Sequence, residues 1–404
     1  MKKIIHTALL GIIGLLLVNW HSAAWADLSG DIAADLGNAG ACMLADEQGE
    51  VLLAVNPTQA LVPASILKLL TALLAFHHLG VNYRFPTTLY LDTGNNLTVK
   101  GHGDPLLISE NIEALALFTS ARLSSKSPAI EDILLDGSYF APDISVPGVS
   151  DSLEPYDAPN GALCANFNTV FFQRKPDGTY ESAEAQTPLL PMVTAAIRAS
   201  GLAQGRIILS PKDDETMLYM GHLFRFFLEK AGVTVAGKVR IGMVRPETDQ
   251  RLGVFESPAT LSQVVTQLMA FSNNFIANQI MIAAGAKADG PPGSLANGVR
   301  ALHAYAQGHL KLQGINIAEG SGISRRNRIS AAQMMKLLSA FRPHATLMRE
   351  TEREYYKTGT LKNVSTRAGY IKGKSGLYPY VVMINAPGKT TEPVMKKLIK
   401  SVLD

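Results

Sequence analysis

The pattern of apolar and polar residues predicts a β-hairpin and then a buried helix near the start of the chain. Apolar runs at 39–44 and 51–55 flank a polar turn that contains Gly49, as is typical of a hairpin. The leucines and alanines of residues 66–76 then favour a helix, with Pro63 suited to its entry and Gly80 to its end. Because this helix is apolar on every side, we expect it to be buried.

The middle of the chain, from residue 83 to residue 255, has a different texture of short strands, turns and a few helices. We predict strands at 88–91, 97–100, 133–135 and 165–173, helices at 109–123 and 216–232, and a proline-rich surface loop at 142–159. No fixed-period repeat is visible. The mixture indicates an α+β region inserted between two parts of another domain.

Helical periodicity returns after this region. A segment at 261–269 and a second at 276–284 meet at the polar residues 272–274, and further elements follow. We predict a helix at 331–341, strands at 355–360, 364–371 and 378–385, and a closing amphipathic helix at 392–404. The closing helix carries lysines on its polar side. It either docks on the final strands, which we favour, or touches a membrane.

Ser65 and Lys68 are the first candidates for chemistry. Three residues apart on a helix, they share one face within hydrogen-bonding reach, and Ser65 would lie in the first turn, where unpaired N–H groups favour an anion. An ammonium in an apolar helix must be paired or lose its proton, so Lys68 could accept the proton of Ser65. A Ser-x-x-Lys tetrad also arises by chance about once in such a chain, so partners elsewhere are needed.

Residues 1–26 have the pattern of a secretory signal peptide. Lys2 and Lys3 precede an apolar stretch, and Ala24-Trp25-Ala26 provides a small-residue cleavage site. The stretch is short for a membrane-spanning helix, so we expect cleavage after Ala26, export to the periplasm and no integral membrane segment afterwards; a retained anchor is the alternative. No cysteine is present at the cleavage site to accept a lipid.

Composition excludes several classes of function. Loss of Lys2 and Lys3 lowers the net charge from +3 to +1, which gives no global electrostatic reason to bind nucleic acid. No Cys/His cluster has metal-ligand spacing and no glycine-rich phosphate loop is present, so we expect no cofactor and no metal. Cys42 and Cys164 either form a disulfide or are small buried residues. The 378 residues after the signal suggest two domains or one domain with a large insertion.

Three separated elements occur in one order: Ser65-x-x-Lys68, Ser272-x-Asn274 and Lys357-Thr358-Gly359. This set resembles the motifs of penicillin-binding proteins and serine β-lactamases. The 207-residue gap between Ser65 and Ser272 is longer than in a free-standing β-lactamase. It is similar to that of the type-4 D-alanyl-D-alanine carboxypeptidases of the class C low-molecular-mass penicillin-binding proteins, and the resemblance covers nearly the whole mature chain.

Further segments carry the same resemblance. They are Leu61-x-Pro63-Ala64-Ser65, Gly101-x-Gly103-Asp104-Pro105, Asp136-Gly137-Ser138-Tyr139-Phe140, Gly320-Ser321-Gly322-Ile323-Ser324-Arg325 and Ala368-Gly369-Tyr370. The chain departs from the family at two positions: Asn273 stands where an acidic residue is usual, and Glu319 stands where aspartate is usual. Its insertion is also shorter than in the larger members of the family. These departures concern substrate preference. Lys374-Ser375-Gly376 also fits the third motif, but we reject it because it lies in the turn between the last two strands.

The resemblance implies an α+β, penicillin-binding/serine β-lactamase-like fold, in which an antiparallel sheet is flanked by helices and a large α+β region is inserted between the first and second motifs. It implies a signal peptide at 1–26, a discontinuous peptidase domain at 27–82 and 256–404, and an inserted region at 83–255. It also implies a serine D-alanyl-D-alanine carboxypeptidase acting on peptidoglycan stem peptides and inhibited covalently by β-lactams.

The resemblance assigns roles to individual residues. Ser65 would be the nucleophile, Lys68 its general base, Ser272 the proton relay to the leaving amine, and Asn274 a partner of Lys68 and of the substrate amide. A second group would bind substrate: Lys357 and Thr358 at the terminal carboxylate, Gly359 by allowing close approach, and the N–H of Thr360, with that of Ser65, as the oxyanion hole. Arg325 would meet a substrate carboxylate or form a structural salt bridge.

Other functions stay open at this stage. A peptidoglycan endopeptidase that cuts D-alanyl cross-links would use the same residues, whereas a β-lactamase is disfavoured by the long insertion. A different class of protein, a cell-wall-binding or sensory module that acylates poorly, would also fit the fold. The intact Ser65, Lys68 and Lys357 argue against such a module.

Overall fold

The computed structural model describes residues 25, 27–123 and 129–404, without the side chain of Asp213. Apart from Trp25, the predicted signal peptide lies outside the described residues. The α-helices of the described part are α1 (residues 27–36), α2 (Lys68–Leu79), α3 (Ser109–Leu123), α4 (Thr194–Ser200), α5 (Asp213–Lys230), α6 (Leu261–Phe271), α7 (Asn274–Asp289), α8 (Leu295–Gly308), α9 (Ala331–Phe341) and α10 (Glu392–Leu403). In this part of the chain, none of the helices combines the length and apolar character needed to cross a membrane.

Strands account for much of the remainder. They are β1 (Gly40–Ala45), β2 (Val51–Val55), β3 (Pro86–Leu91), β4 (Leu97–Gly101), β5 (Ala129–Ile130), β6 (Ile133–Asp136), β7 (Thr169–Arg174), β8 (Tyr180–Ser182), β9 (Gln204–Ile208), β10 (Thr234–Val235), β11 (Val239–Ile241), β12 (Gln250–Glu256), β13 (Arg349–Glu350), β14 (Glu354–Leu361), β15 (Val364–Lys372) and β16 (Leu377–Ile384). Short 3₁₀ turns are present at Ala64–Leu67, Pro155–Asp157, Asn166–Asn168, Pro191–Val193 and Arg342–Leu347.

The described residues form two compact units. The first contains the described part of Met1–Leu69, with Leu310–Asn316 and Arg325–Asp404; the second contains Leu70–His309 and Ile317–Ser324. The sequence predicted a peptidase domain at 27–82 and 256–404 that is interrupted in the chain by an inserted region at 83–255. This division stays a prediction.

The first unit is built on a six-stranded antiparallel sheet of order β13-β14-β15-β16-β1-β2. Successive residues of a strand face opposite sides, so β16 buries two sets of apolar side chains. Tyr380, Val382 and Ile384 form one core with α1 and α10, whereas α9 packs against β16, β1 and β15, where Tyr370 donates a hydrogen bond to the carbonyl of Leu338. The predicted antiparallel sheet flanked by helices is confirmed.

The closing helix α10 buries Val394, Met395 and Leu398 against this sheet. Docking on the final strands is therefore confirmed. The exposed side of the helix carries Lys396 and Lys400.

The second unit contains a five-stranded sheet of order β11-β6-β4-β3-β12, a three-stranded sheet of order β8-β7-β9 and a two-stranded pair of β10 and β5. One apolar core joins the five-stranded sheet to α3 and α5. Helix α7 is buried along nearly its whole length, and Gly285 lies so close to Gly298 of α8 that an added Cβ would be 2.5 Å from the Gly298 nitrogen. This close contact fixes the pairing of α7 with α8.

The two cysteines are buried and neither belongs to a disulfide. Cys42 lies within β1, where complete burial raises the pKa of its thiol. Cys164 donates a hydrogen bond to the carbonyl of Gly161 at 3.2 Å. The sequence left open a disulfide or two small buried residues, and the second alternative is correct.

Candidate active site

Ser65 lies in the 3₁₀ turn Ala64–Leu67, directly before α2, and Lys68 is the first residue of that helix. The α-helix therefore begins one turn later than predicted. The side chain of Lys68 is completely buried, whereas Ser65 is half-buried, and Nζ of Lys68 is 2.9 Å from Oγ of Ser65. This is the distance that direct proton transfer from a nucleophile to its base requires.

The backbone around Ser65 is held in place by β15 and by the residue that follows β16. Oδ1 of Asn385 accepts from the N–H of Val62 at 2.7 Å, and Oγ1 of Thr366 donates to the carbonyl of Pro63 at 2.7 Å. Ala64, next to the nucleophile, has φ +49°, a left-handed conformation that costs free energy in a residue with a Cβ. The surrounding contacts therefore impose the geometry of this turn.

Gly359 brings the third motif next to the Ser65 turn. The predicted strand at 355–360 is confirmed as β14, which packs against the 3₁₀ turn. A Cβ on Gly359 would be 2.4 Å from Oγ1 of Thr366 and 2.7 Å from the nitrogen of Ser65, distances that no side chain can occupy. Only glycine lets β14 approach the backbone of the nucleophile this closely.

Lys357 is a buried cation on β14. Its side chain is 1% exposed, and Nζ donates to the carbonyl of Thr358 at 2.8 Å. Burial, and secondarily the charge of Arg349, lower the pKa of Lys357 to about 7. The neighbouring Thr358 is half-buried and Thr360 is exposed, so both can be reached from solvent. An anion that bound here would restore the ammonium form.

The second motif lies at the junction of α6 and α7, in the second unit. Ser272 ends α6 in a left-handed conformation, with φ +57°, and Asn273 caps α7 by accepting from the N–H of Ile276 at 3.1 Å. The N-terminal cap of α7 is therefore Asn273, and Ser272 is the residue that ends α6. Ser272 and Asn274 are both half-buried, so both side chains can be reached from solvent.

The sequence did not indicate Tyr156 as part of this region. The turn Pro155–Asp157 packs against the start of α7, and Nδ2 of Asn274 donates to the carbonyl of Tyr156 at 3.4 Å. The ring of Tyr156 is exposed. Because the contact is made by a backbone carbonyl inside a proline-rich loop, no residue type in the sequence marks it.

Within the second unit, the segment Gly320–Ser324 joins α2 to α7. Thr71 of α2 donates to the carbonyl of Gly320 at 2.6 Å, and the N–H of Gly320 donates to Oδ1 of Asn278 of α7 at 2.8 Å. Thr71 is one turn after Lys68 and Asn278 is one turn after Asn274, so each shares a helix face with a motif residue. The segment was among those that resemble the family, but its hydrogen bonds to the two helices are seen only in the structure.

The predicted site residues thus fall into two groups. The first unit brings together Ser65, Lys68 and the β14 residues Lys357, Thr358, Gly359 and Thr360, and the second unit places Ser272 and Asn274 at one helix junction. Arg325 donates to the carbonyl of Lys362, which is a structural hydrogen bond and not the predicted salt bridge.

This arrangement defines the class of protein: the chain has the fold of the penicillin-binding proteins. It is similar to penicillin binding protein 4 from Haemophilus influenzae, with a TM-score of 0.72, 20% identity and coverage of 92% of this chain and 98% of the other. It is also similar to a predatory endopeptidase from Bdellovibrio bacteriovorus, with a TM-score of 0.53, 18% identity and coverage of 90% and 92%. At these identities the similarity shows the fold alone, and it confirms the predicted fold class.

The chain belongs to the D-Ala-D-Ala carboxypeptidase 3 (S13) family, whose sequence model matches residues 27–200 and 204–352. A D-alanyl-D-alanine carboxypeptidase from Actinomadura sp. (strain R39) is 26% identical over 411 residues, which cover 83% of this chain and 76% of the relative. The predicted resemblance to low-molecular-mass penicillin-binding proteins is confirmed, and with it the prediction of a serine-type D-Ala-D-Ala carboxypeptidase.

Proposed function

We propose that this enzyme removes the terminal D-alanine from peptidoglycan stem peptides through an acyl-enzyme on Ser65. The observation that carries the proposal is the 2.9 Å contact between Oγ of Ser65 and Nζ of a completely buried Lys68, beside a strand that holds Lys357 and Gly359. A buried amine next to an accessible hydroxyl has few structural uses, whereas it is what activation of a serine nucleophile needs.

In the first step, Oγ of Ser65 attacks the carbonyl carbon of the D-Ala-D-Ala bond and gives its proton to Lys68. The developing oxyanion accepts from the N–H groups of Ser65 and Thr360, where one donor contributes roughly 3 kcal/mol to transition-state binding. The close approach of β14 to Ser65 at Gly359 supports this pairing of donors. The new ester then forms as the C–N bond breaks.

In the same step the proton taken up by Lys68 passes through the Ser272 hydroxyl to the leaving nitrogen, so that D-alanine departs with a neutral amino group. Asn274 orients Lys68 and the substrate amide. The half-buried placement of Ser272 and Asn274 at the junction of α6 and α7 supports these roles, because both side chains can be reached from solvent. A water molecule then hydrolyses the ester and regenerates Ser65.

Lys357 recognises the terminal carboxylate of the substrate, with Thr358 as a second donor. A buried ammonium that meets a carboxylate forms a short, charge-assisted hydrogen bond, and this bond also offsets the cost of burying the cation. β-Lactam antibiotics, which carry a carboxylate in the equivalent place, acylate Ser65 in the same way. No residue is assigned as a dedicated deacylating base, so we expect slow release of bound penicillin.

We infer that the enzyme works in the periplasm, after removal of residues 1–26. Cleavage of D-alanyl cross-links needs the same residues as carboxypeptidase action. Release of D-alanine from a pentapeptide and cleavage of a cross-linked dimer, measured side by side, decide between the two activities.

The first experiment is mass spectrometry of the mature protein after brief exposure to benzylpenicillin, with Ser65→Ala as the control. We expect one penicilloyl adduct, mapped to Ser65 and absent from the variant, with D-alanine release from a pentapeptide lost in parallel. A folded protein that forms no adduct would contradict the proposal and favour a wall-binding or sensory module. Rapid turnover of benzylpenicillin would contradict the slow deacylation.

A further inference from the structure

A long stretch of the chain is rich in cations and nearly free of acidic residues. Between Asp289 and Glu350 there are eight lysines and arginines, and the single acidic residue is Glu319. The protein as a whole is close to neutral, so this stretch is a strong local departure from the average. Whether it makes a positive surface depends on where Glu319 lies and what it binds.

Glu319 is completely buried and engaged by its own loop. Its Oε2 accepts from the N–H and the hydroxyl of Ser321, both at 2.6 Å, and its Oε1 accepts from the N–H groups of Gly322 at 2.8 Å and Ser324 at 3.2 Å. A carboxylate that is buried and bound in this way is poorly placed to neutralise cations at the surface. With one acidic residue against eight lysines and arginines, the stretch keeps a net positive charge.

Several of these cations belong to one surface of the first unit, together with Lys362 from the turn between β14 and β15. We call this surface the basic patch; it consists of Lys311, Arg326, Arg328, Lys336 and Lys362, of which Arg328 is half-buried and the others are exposed.

Hydrogen bonds join the segments that carry the basic patch. Arg328 pairs with Asn316 in an antiparallel bridge, Nζ of Lys336 reaches the carbonyl of Lys311 at 3.5 Å, and Arg328 donates to the carbonyl of Arg325. Arg325 in turn donates to the carbonyl of Lys362. The basic patch is thus one continuous feature.

Two donors of the basic patch, Arg328 and Lys336, are bound to backbone carbonyls. Arg328 donates to the carbonyls of Arg325 and Asn327, and Lys336 to that of Lys311. In the described ranges 27–123 and 129–404, Arg328, Lys336 and Lys362 are in no ion pair with a carboxylate. A neutral carbonyl leaves the positive charge in place, so these cations attract anions from solution.

The patch is hydrophilic, which favours a polymer over a membrane as its partner. Among the described residues of the first unit, Val51 is the one large apolar side chain that is exposed, and it lies in β2, outside the patch. Proteins that bind a bilayer surface combine cations with apolar side chains that enter the acyl region. A hydrated polyanion needs charge alone.

The place of Lys362 in the chain connects the patch to the active site. It follows Thr360 by two residues, at the end of the strand that carries Lys357. We propose that the basic patch binds the carboxylate-rich peptide arms of the insoluble cell-wall polymer, and so holds the polymer while one arm is processed. The proposal rests on the proposed function for its choice of polyanion.

The test is co-sedimentation of the mature protein with purified insoluble peptidoglycan over a range of salt concentrations. The variant Arg326→Gln/Lys336→Gln/Lys362→Gln removes three positive charges from the patch. We expect it to bind the wall polymer roughly tenfold more weakly at low salt, and we expect binding of the unaltered protein to fall as salt is raised. The rate of acylation by soluble benzylpenicillin should not change.

The matched control is Lys374→Gln/Lys396→Gln/Lys400→Gln, which removes the same charge from exposed positions elsewhere in the first unit. It should retain wall binding. Equal losses in the two triple variants, or no loss in the patch variant, would overturn the proposal. The proposal would also be overturned if the patch variant lost binding to anionic phospholipid vesicles or to nucleic acid but bound the wall polymer as well as the unaltered protein does. Failure of penicillin acylation with salt-sensitive wall binding retained would instead refute the proposed function alone.

Discussion

The first unit contains two tripeptides of the same type, Lys357-Thr358-Gly359 and Lys374-Ser375-Gly376, in very different surroundings. Lys357 is 1% exposed, and Gly359 lies against the backbone of Ser65. Lys374 is exposed in the turn between β15 and β16, and Oγ of Ser375 is 2.7 Å from the hydroxyl of Tyr378. The amino acids are nearly equivalent, so their placement alone separates a candidate binding site from an ordinary turn.

The difference is one of desolvation. A buried ammonium has lost its hydrating water. Its electrostatic attraction to a carboxylate is therefore strong, because the surrounding medium has a low polarity. An exposed ammonium keeps its water, and an ion pair there contributes little. Four predictions test whether burial and position separate these two tripeptides.

The largest effect is expected from the two lysines. Lys357→Ala should slow acylation by benzylpenicillin by roughly a hundredfold or more, because it removes a charge-assisted hydrogen bond to the carboxylate worth about 3 kcal/mol. Lys374→Ala should change the rate by less than about twofold. The measurement is the second-order rate constant of acylation. Similar losses in both variants would show that the contrast is wrong.

The next effect is expected at Gly359. The added Cβ of Gly359→Ala meets Oγ1 of Thr366 and the nitrogen of Ser65, so the Ser65 turn must shift. We expect a destabilisation of about 1–3 kcal/mol and a fall in acylation rate of roughly tenfold to a hundredfold. The control is Gly30→Ala in α1, where an added Cβ meets nothing within 4 Å. Thermal unfolding and acylation rates together test this; a normal rate in Gly359→Ala would contradict it.

The third prediction concerns pH and has opposite signs for binding and stability. The pKa of Lys357 is about 7 in the folded protein, against 10.5 as the ordinary value. As pH rises through 7, the free enzyme loses the ammonium, so acylation by a carboxylate-bearing β-lactam should fall. Between pH 7 and 10.5 the unfolded chain holds a proton that the folded chain has released, so the free energy of unfolding should rise with pH.

Two variants isolate this effect. Lys357→Met should lack the part of the rise in unfolding free energy that Lys357 contributes, at most roughly 1.4 kcal/mol per pH unit. Lys374→Met should keep both the fall in acylation and the rise in stability. Denaturant unfolding at several pH values provides the measurement. A Lys357→Met protein whose stability follows the same pH curve as the parent would refute the assignment.

The same two tripeptides show how much of the structure can be predicted from the sequence. The strand patterns, together with the sheet that the family resemblance implies, placed residues 355–360 in a strand and 374–376 in a turn, and both placements are confirmed by β14 and by the turn after β15. Helix α9 was predicted with its bounds, since its apolar spacing and flanking polar residues are local signals. Order and spacing of the three motifs indicated the family, which is confirmed.

What the sequence could not indicate depends on contacts between distant segments. Helix α8 was not predicted, and one of its glycines, Gly298, lowers helix propensity but allows the close approach to Gly285. The contact of Asn274 with Tyr156 and the bonds of Gly320 to Thr71 and Asn278 use backbone atoms. Every residue has those atoms, so no residue type marks such contacts in advance.

The smallest expected effect comes from making the two tripeptides identical. Thr358→Ser leaves a hydroxyl at the same place on β14 and removes one methyl group from a half-buried position. We expect a change of less than about threefold in acylation rate and of less than about 1 kcal/mol in stability, because small substitutions outside the core are tolerated. The protein would then carry the same three residues twice, with one copy active and one silent. A loss as large as that of Lys357→Ala would mean that residue identity, and not burial and position, separates the two copies.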